Sequence, residues 1–378
     1  MIKTILFDVD GVMLSEERYF DASALTVWEM LYSPQYLGLK ADTFTPAPVE
    51  SEIRRVREQV FAKDDVLNFI KARGINSNWD MVFLTFSYQL IRLVEVLKPQ
   101  LGTEATSLLS GQIDRAELTK LREWGATYAP DFAVDYAAFT PDFAKGPAQK
   151  AEMLLYLNQV AKERCGVETE MFSRNSDLWQ LCQKTFQEWY LGDERVAASI
   201  GRETMQPGKK GFLTDEIPIV PPAEMIELFR TLKEKGYILG IGTGRPTIET
   251  YVPLTEMKVL EWFDPNRVVT ASHVLEAEEE YPAHAPMSKP HPFSYVKGLL
   301  GLSVPNSEVV NFSLPITNGD EVLVVGDSPA DFLAARSIGC KFAATLTGLS
   351  GQEARAKFEE VKADYILDDV RDILSILE

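Results

Sequence analysis

"TILFDVDGVML", Thr4–Leu14, runs an apolar, β-branched stretch directly into two carboxylates spaced two residues apart, Asp8 and Asp10. A run that is apolar throughout reads as a strand covered on both faces, the texture of a parallel sheet between layers of helix. Taken alone, Asp10-Gly11 is ordinary turn punctuation and Asp8 a surface charge. Two like charges aimed at one spot instead call for a cation between them. The rest of the chain decides which reading holds.

From about Pro222 onward the same strand texture returns in "YILGIGT" (237–243), "RVVTAS" (267–272), "EVLVVGD" (321–327), "KFAATL" (341–346) and "DYIL" (364–367). Amphipathic stretches alternate with them. "PPAEMIELFRTLKEKG" opens on proline, whose missing N–H costs nothing in a first helical turn, and ends on Gly236 at the C-terminal cap. "IKTILFD" is expected to join the sheet that these strands form. "LEAEEEYPAHAP" (275–286) and "SLPITNGDE" (313–321) read as loops.

Between the first strand and the second the strand signal vanishes. "DDVLNFIKARG" (64–74), "SNWDMVFLTFSYQLIRLVEVL" (77–97), "PAQKAEMLLYLNQVAKERCG" (147–166) and "SDLWQLCQKTFQEWYLG" (176–192) carry helical spacing and caps. In the second of these, Ser77 precedes Asp80 by three, a capping-box pattern, and apolar residues run nearly all round, so burial among other helices is expected. The expected fold is α/β: a doubly wound, Rossmann-like parallel sheet formed by residues 1–14 and 219–378, interrupted by an all-α domain over residues 15–218.

Composition narrows the function classes. The 378 residues carry a net charge of −18, with 46% hydrophobic and 25% charged residues, a globular balance. That charge argues against nucleic acid, whose phosphates are bound by clustered Lys and Arg. Cys165, Cys182 and Cys340 are odd in number and lack CxxC spacing, which suggests buried thiols and not a disulfide framework or thiolate metal site. No stretch approaches the roughly 20 apolar residues of a membrane span, and the run before Asp8 is shorter than the apolar region of a signal peptide. A cytoplasmic protein with no membrane or nucleic-acid partner is therefore expected.

Four short signals fall at the C-terminal ends of expected strands, the edge where open parallel sheets bind ligands. They are "DVDGV" (8–12), "GTGRP" (242–246), "SKPHP" (288–292) and "GDSPAD" (326–331). Each alone is an unremarked turn or helix cap; together they supply what phosphate monoester chemistry needs. That chemistry requires on the order of 20 kcal/mol of transition-state stabilisation, mainly by positioning and charge neutralisation. Asp8 can attack phosphorus, and Asp10 can give a proton to the leaving group and later take one from water. Asp327 adds a carboxylate for Mg²⁺, while Thr243 and Lys289 hold the phosphoryl oxygens.

This set of residues closely resembles the haloacid dehalogenase superfamily in its phosphatase branch, over Met1 to Leu14 and Ile219 to Glu378. The resemblance implies that Asp8 is the nucleophile and Asp10 the acid and base, that Asp8, Asp10 through its carbonyl, and Asp327 bind Mg²⁺, and that Asp331 holds Lys289 or a metal-bound water. It also implies that Thr243 and Lys289 bind the phosphoryl group and that the insert is a type 1 helical cap, here much larger than usual. Gly244 and Arg245, directly after Thr243, are further expected substrate-binding residues by their position in the chain. Within the insert and its return, Arg54, Arg55, Arg174, Arg202, Lys209 and Lys210 are the cations available to an anionic leaving group, although solvated helix faces account for most. His291, beside Lys289, reads as structural.

The expected activity is Mg²⁺-dependent hydrolysis of a small phosphorylated metabolite through an aspartyl-phosphate on Asp8. A halide needs no proton on leaving, and phosphonatases carry a small residue in place of the second acid, so Asp10 argues against both chemistries. A phosphoglucomutase-like phosphotransferase also carries "DxDGV" and stays open. So does a non-catalytic phosphate-binding or interaction protein, against which the intact acidic set speaks. Exposed helices of the insert could pair two copies into a homodimer.

Overall fold

The computed structural model describes residues 1–75 and 77–377; Asn76 and the last residue of the expected core segment, Glu378, lie outside the described residues. Six strands form one parallel sheet: β1 (Thr4–Phe7), β2 (Ile238–Gly242), β3 (Val268–Val269), β4 (Val322–Gly326), β5 (Lys341–Thr345) and β6 (Tyr365–Leu367), in the order β3-β2-β1-β4-β5-β6. Strand β1 is central, in register with β2 (Leu6 opposite Gly240) and β4 (Leu6 opposite Val324).

Side chains alternate across a strand, and the sheet uses both sets. Ile5 and Phe7 join Leu239, Ile241, Leu323 and Val325 on one face, packed on Met225, Leu228, Phe229 and Leu232 of the helix Pro222–Glu234. Phe7, Phe229 and Phe263 meet edge to face at centroid separations of 5.2 and 5.9 Å from Phe7, the arrangement ring quadrupoles favour. Leu6, Val324, Phe342 and Ala344 serve the other face, against Tyr295, Val296, Phe332 and Ala335. This two-sided burial is why the strands read as unbroken apolar runs.

Two expectations are corrected. Residues 275–280 are not loop: they complete a helix, Ala271–Glu280, in which Thr270 and His273 form a reciprocal cap. The acidic run is its solvated face, since a charge-rich stretch can be helical when one stripe, here Val274 and Ala277, is buried. "RVVTAS" yields only Val268–Val269, because Thr270 turns to cap that helix.

The chain divides into two compact units, Met1–Glu17 with Leu213–Glu378, and Arg18–Phe212. These limits differ by a few residues from 14/15 and 218/219. Ser15 N–H donates to the Ile217 carbonyl at 2.8 Å and Ile219 N–H to that of Met13 at 2.9 Å, so the outgoing and returning segments are tied together on the sheet-bearing unit.

The second unit contains no strand among its described residues. Its axis is the 24-residue helix Asn78–Leu101, packed against Glu152–Cys165 and Asp177–Leu191. Ser77 Oγ caps its start by accepting from Asp80 N–H at 3.3 Å. Asp80 does not complete the expected box; its carboxylate is nearly fully buried and accepts from the Trp179 indole at 2.8 Å and pairs with Arg174. All three cysteines are buried free thiols, and burial pushes those of Cys165 and Cys340 up to about 12, so both stay protonated. No helix among the described residues is long and apolar enough to cross a membrane.

Candidate active site

The strand order reverses between β1 and β4, the switch point where open α/β sheets bind ligands beyond the carboxyl ends of their strands. Asp8 follows β1 there, extending its ladder by donating N–H to the Val325 carbonyl at 2.9 Å. Asp327 follows β4, and Thr243 follows β2 with its N–H on the Val269 carbonyl at 3.0 Å. Three of the sequence-nominated residues therefore sit on the rim of the sheet because their strands are parallel and adjacent.

Lys289 reaches the same rim from the loop before the helix Phe293–Leu300. Its Nζ lies 2.9 Å from Asp8 Oδ1 and 2.7 Å from Asp331 Oδ1, with the Tyr295 ring centroid 4.8 Å away. Burial alone would lower the lysine pKa, but the two carboxylates outweigh it and raise it, so the ammonium is permanent. Burial pushes the Asp8 carboxyl up to about 7 against the pull of Lys289, with Asp331 and Asp10 adding repulsion.

Asp331 is the most heavily engaged of the rim's acids, Asp8, Asp10, Asp327 and Asp331, in the bonds described. Besides Lys289, it accepts from the Tyr295 hydroxyl at 2.7 Å and the Ser328 hydroxyl at 2.6 Å. Burial opposes ionisation there, yet Lys289 and these hydrogen bonds hold its carboxyl below the usual range. Ser328 and Asp331 also form the capping box of the helix Pro329–Ile338. One local device thus starts a helix and aims an acid.

Asp8, Asp327 and Asp331 offer carboxylate oxygens all within 4.8 Å of one another. An all-oxygen donor set suits a hard divalent cation such as Mg²⁺. Two further observations fit a cation there. Burial and the neighbouring Asp331 and Asp8 drive the Asp327 carboxyl well above its ordinary pKa, a strain that positive charge would relieve. Asp327 is also tightly cradled: a Cβ on Gly11 would stand 2.3 Å from its Oδ2, and one on Gly348 only 1.9 Å away. Gly11 adopts a φ of +67°, and its carbonyl accepts from Thr345 at 3.1 Å and Thr347 at 2.5 Å.

Asp10, expected as the third metal group, keeps its carboxylate outside this cluster. It faces Arg245, whose Nε donates to Asp10 Oδ1 at 2.7 Å while Nη2 lies 2.6 Å from the same oxygen. Arg245, expected to face substrate, has a fully buried side chain between Asp10 and Glu216. Thr243 is buried and its Oγ1 accepts from Arg245 N–H at 3.2 Å; Gly244 is exposed, with open space where a Cβ would stand. His291 Nδ1 accepts from Phe293 N–H at 3.2 Å, a cap for the following helix.

The nominated cations of the helical unit are mostly engaged with their own neighbours. Arg54 bonds Glu50 at 2.9 Å, Arg55 bonds Gln59 at 2.9 Å, Arg174 pairs with Asp80, and Arg202 bonds Glu188 at 2.6 Å. Lys209, nominated with them, is buried between Glu29 (2.9 Å) and Glu188 (2.8 Å). Sequence reasoning missed Glu216, Tyr295 and Gly348. Tyr295 had a signal, lying in the first turn of the largely buried helix that follows the Lys289 loop; Glu216 and Gly348 had none.

Residues 286–373 match a family model described as HAD-hydrolase-like. The phosphoglycolate phosphatase of Pasteurella multocida is 33% identical over 151 residues, 39% of this chain and 53% of that protein. Pyrophosphatase PpaX of Bacillus cereus is 33% identical over 153 residues, 40% of this chain and 56% of its own length. The chain thus spans about half the length of the curated relatives it matches. An X-ray structure of Northeast Structural Genomics Consortium target ZR25 is 36% identical over 100% of this chain and 98% of that one, with a TM-score of 0.90. With its six-stranded parallel sheet, large helical insertion and acidic rim, the chain belongs to the HAD superfamily of hydrolases.

Proposed function

We propose that this protein is a Mg²⁺-dependent phosphatase of small phosphate monoesters that works through an aspartyl-phosphate on Asp8. The observation that carries this reading is the meeting of Asp8 and Asp327 with the Lys289 ammonium, 2.9 Å from Asp8 Oδ1, at the sheet's switch point. The carboxylates of Asp8 and Asp327 and the main-chain carbonyl of Asp10 would hold Mg²⁺. When bound, the ion supplies positive charge against the phosphoryl oxygens, letting two anions approach.

The chain's own residues do the rest. Val9 N–H donates to Asp8 Oδ1 at 2.8 Å, and Lys289 contacts the same oxygen, so the attacking oxygen is Oδ2. As Oδ2 bonds phosphorus, the ester P–O bond breaks, its electron pair stays with the leaving oxygen, and Asp10 delivers a proton to that oxygen. Asp10 then takes a proton from water as the water attacks phosphorus. The Asp8–phosphorus bond breaks, releasing inorganic phosphate and restoring both acids. Lys289, held by Asp331, and the Thr243 hydroxyl bind the phosphoryl oxygens throughout.

The test is phosphate release from a panel of phosphorylated metabolites and from p-nitrophenyl phosphate, with and without Mg²⁺. The expected outcome is release from several monoesters, abolished by EDTA and restored by Mg²⁺. Release indifferent to chelation would remove the metal from the proposal. Interconversion of sugar phosphate isomers without phosphate release would replace hydrolysis by phosphotransfer.

A further inference from the structure

Arg245 is the largest fully buried side chain of the protein among the described residues, and it stands next to the site, not in a core. A buried guanidinium is costly unless its charge and its rigid fork of N–H groups are matched. Here the matching is divided. Nε and Nη2 address a single atom, Asp10 Oδ1, at 2.7 and 2.6 Å, whereas Nη1 addresses Glu216 Oε1 at 2.6 Å and the Glu249 carbonyl at 3.3 Å. The Glu216 side chain is itself 1% exposed, and that of Asp10 27%. Arg245 is thus anchored through Nη1 on a deeply buried acid and presents Nε and Nη2 to a partly exposed one.

We infer that Glu216 and Arg245 are positioning residues for Asp10: Glu216 anchors the guanidinium, and the guanidinium fixes Asp10 Oδ1 so that Oδ2 is the oxygen that exchanges the proton. Arg245 cannot relay that proton, because guanidinium does not deprotonate in proteins. Its contribution is orientation. The backbone supports this division of labour. Arg245 N–H donates to Thr243 Oγ1, and its carbonyl accepts from Ala271 N–H at 2.8 Å, so its main chain is fixed by β2 and by the helix Ala271–Glu280. Glu216 arrives from the returning segment that pairs with residues 13–15, immediately after Asp10. Arg245, 235 residues along the chain from Asp10, and Glu216, 29 residues before Arg245, are therefore linked in series to one carboxylate.

This inference rests on the proposed phosphatase chemistry, and leaving-group dependence tests it separately. A p-nitrophenolate departs with little protonation, whereas an alkoxide needs the acid. Glu216→Gln keeps the shape of the side chain and removes the anchoring charge. Because well-placed general acids contribute 10²–10⁴-fold, kcat for an alkyl monoester is expected to fall by about tenfold or more in this variant. For p-nitrophenyl phosphate the expected fall is under about threefold, with KM for either substrate changing less than about twofold, since the phosphoryl contacts are untouched. If Glu216→Gln fails to fold, Glu216→Asp, which keeps the charge but shortens the reach, is expected to give the same selective loss. Equal losses on both substrates, or none on either, would overturn the positioning role while leaving the phosphatase reading intact. A wild-type protein that releases phosphate from neither substrate would overturn both.

Discussion

Asp8 stands in the chain as one acid among 56 acidic residues, and its neighbours alone make it different. Burial and adjacent carboxylates oppose its charge, and Lys289 at 2.9 Å favours it. Asp8→Asn exchanges the carboxylate proposed as nucleophile for an amide of the same shape. Phosphate release is expected to fall below detection while the circular dichroism spectrum and melting transition remain those of a folded protein; retained turnover would remove Asp8 from the mechanism. The glycines around Asp327 make the complementary point. At Gly348 any side chain would occupy the space that the Asp327 carboxylate fills, so a residue with no side chain shapes the candidate metal site.

At the scale of the element, the helix Pro329–Ile338 joins folding to the site. Ser328 Oγ accepts from Asp331 N–H at 3.3 Å, and Asp331 accepts from the Ser328 hydroxyl and N–H. Ser328→Ala removes the cap and one of the bonds that hold Asp331 against Lys289. The expected destabilisation is about 1 kcal/mol, read by chemical denaturation. A several-fold rise in KM with phosphate ester substrates is expected alongside it, because the ammonium loses part of its support. Stability lost without any kinetic change would confine Ser328 to helix capping. The same duality explains why "GDSPAD" reads equally well as a helix start and as a ligand motif: it is both.

For the whole molecule, two units with separate cores mean that unfolding need not be a single step. The helical unit carries its own ionisable core. Lys209 is enclosed by Glu29 and Glu188, with the Trp189 ring centroid 5.4 Å from its Nζ and Tyr36 nearby. Burial pushes Glu29 up to about 7 despite Lys209, from an ordinary 4.5. The folded unit therefore holds a proton on Glu29 that the unfolded chain gives up between those values. The associated stability is complete below about pH 4.5 and is lost as pH rises through 7. Glu29→Gln cannot lose that proton. Relative to wild type, its stability is expected to gain on the order of 1–3 kcal/mol between pH 4.5 and 7.5 in paired denaturation curves, and a difference independent of pH would refute the assignment.

The sequence by itself determined the parallel sheet and the interruption between its first and second strands, and it nominated Asp8, Thr243, Lys289, Asp327 and Asp331. Strands buried on both faces cannot hide their apolar continuity, and Asp8, Thr243 and Asp327 follow those strands directly. It did not determine which carboxylates gather. Asp331 joins Asp8 and Asp327, while Asp10 turns to Arg245. Nor did it mark Glu216, Tyr295 or the glycines pressed on Asp327, or distinguish the buried Lys209 from a solvated cation. Those assignments depend on distances between segments remote in the sequence, from 21 residues for Lys209 and Glu188 to 235 for Asp10 and Arg245, and such distances exist only once the chain has folded. Local pattern records which backbone will be buried; the partner of a buried charge is chosen by tertiary packing.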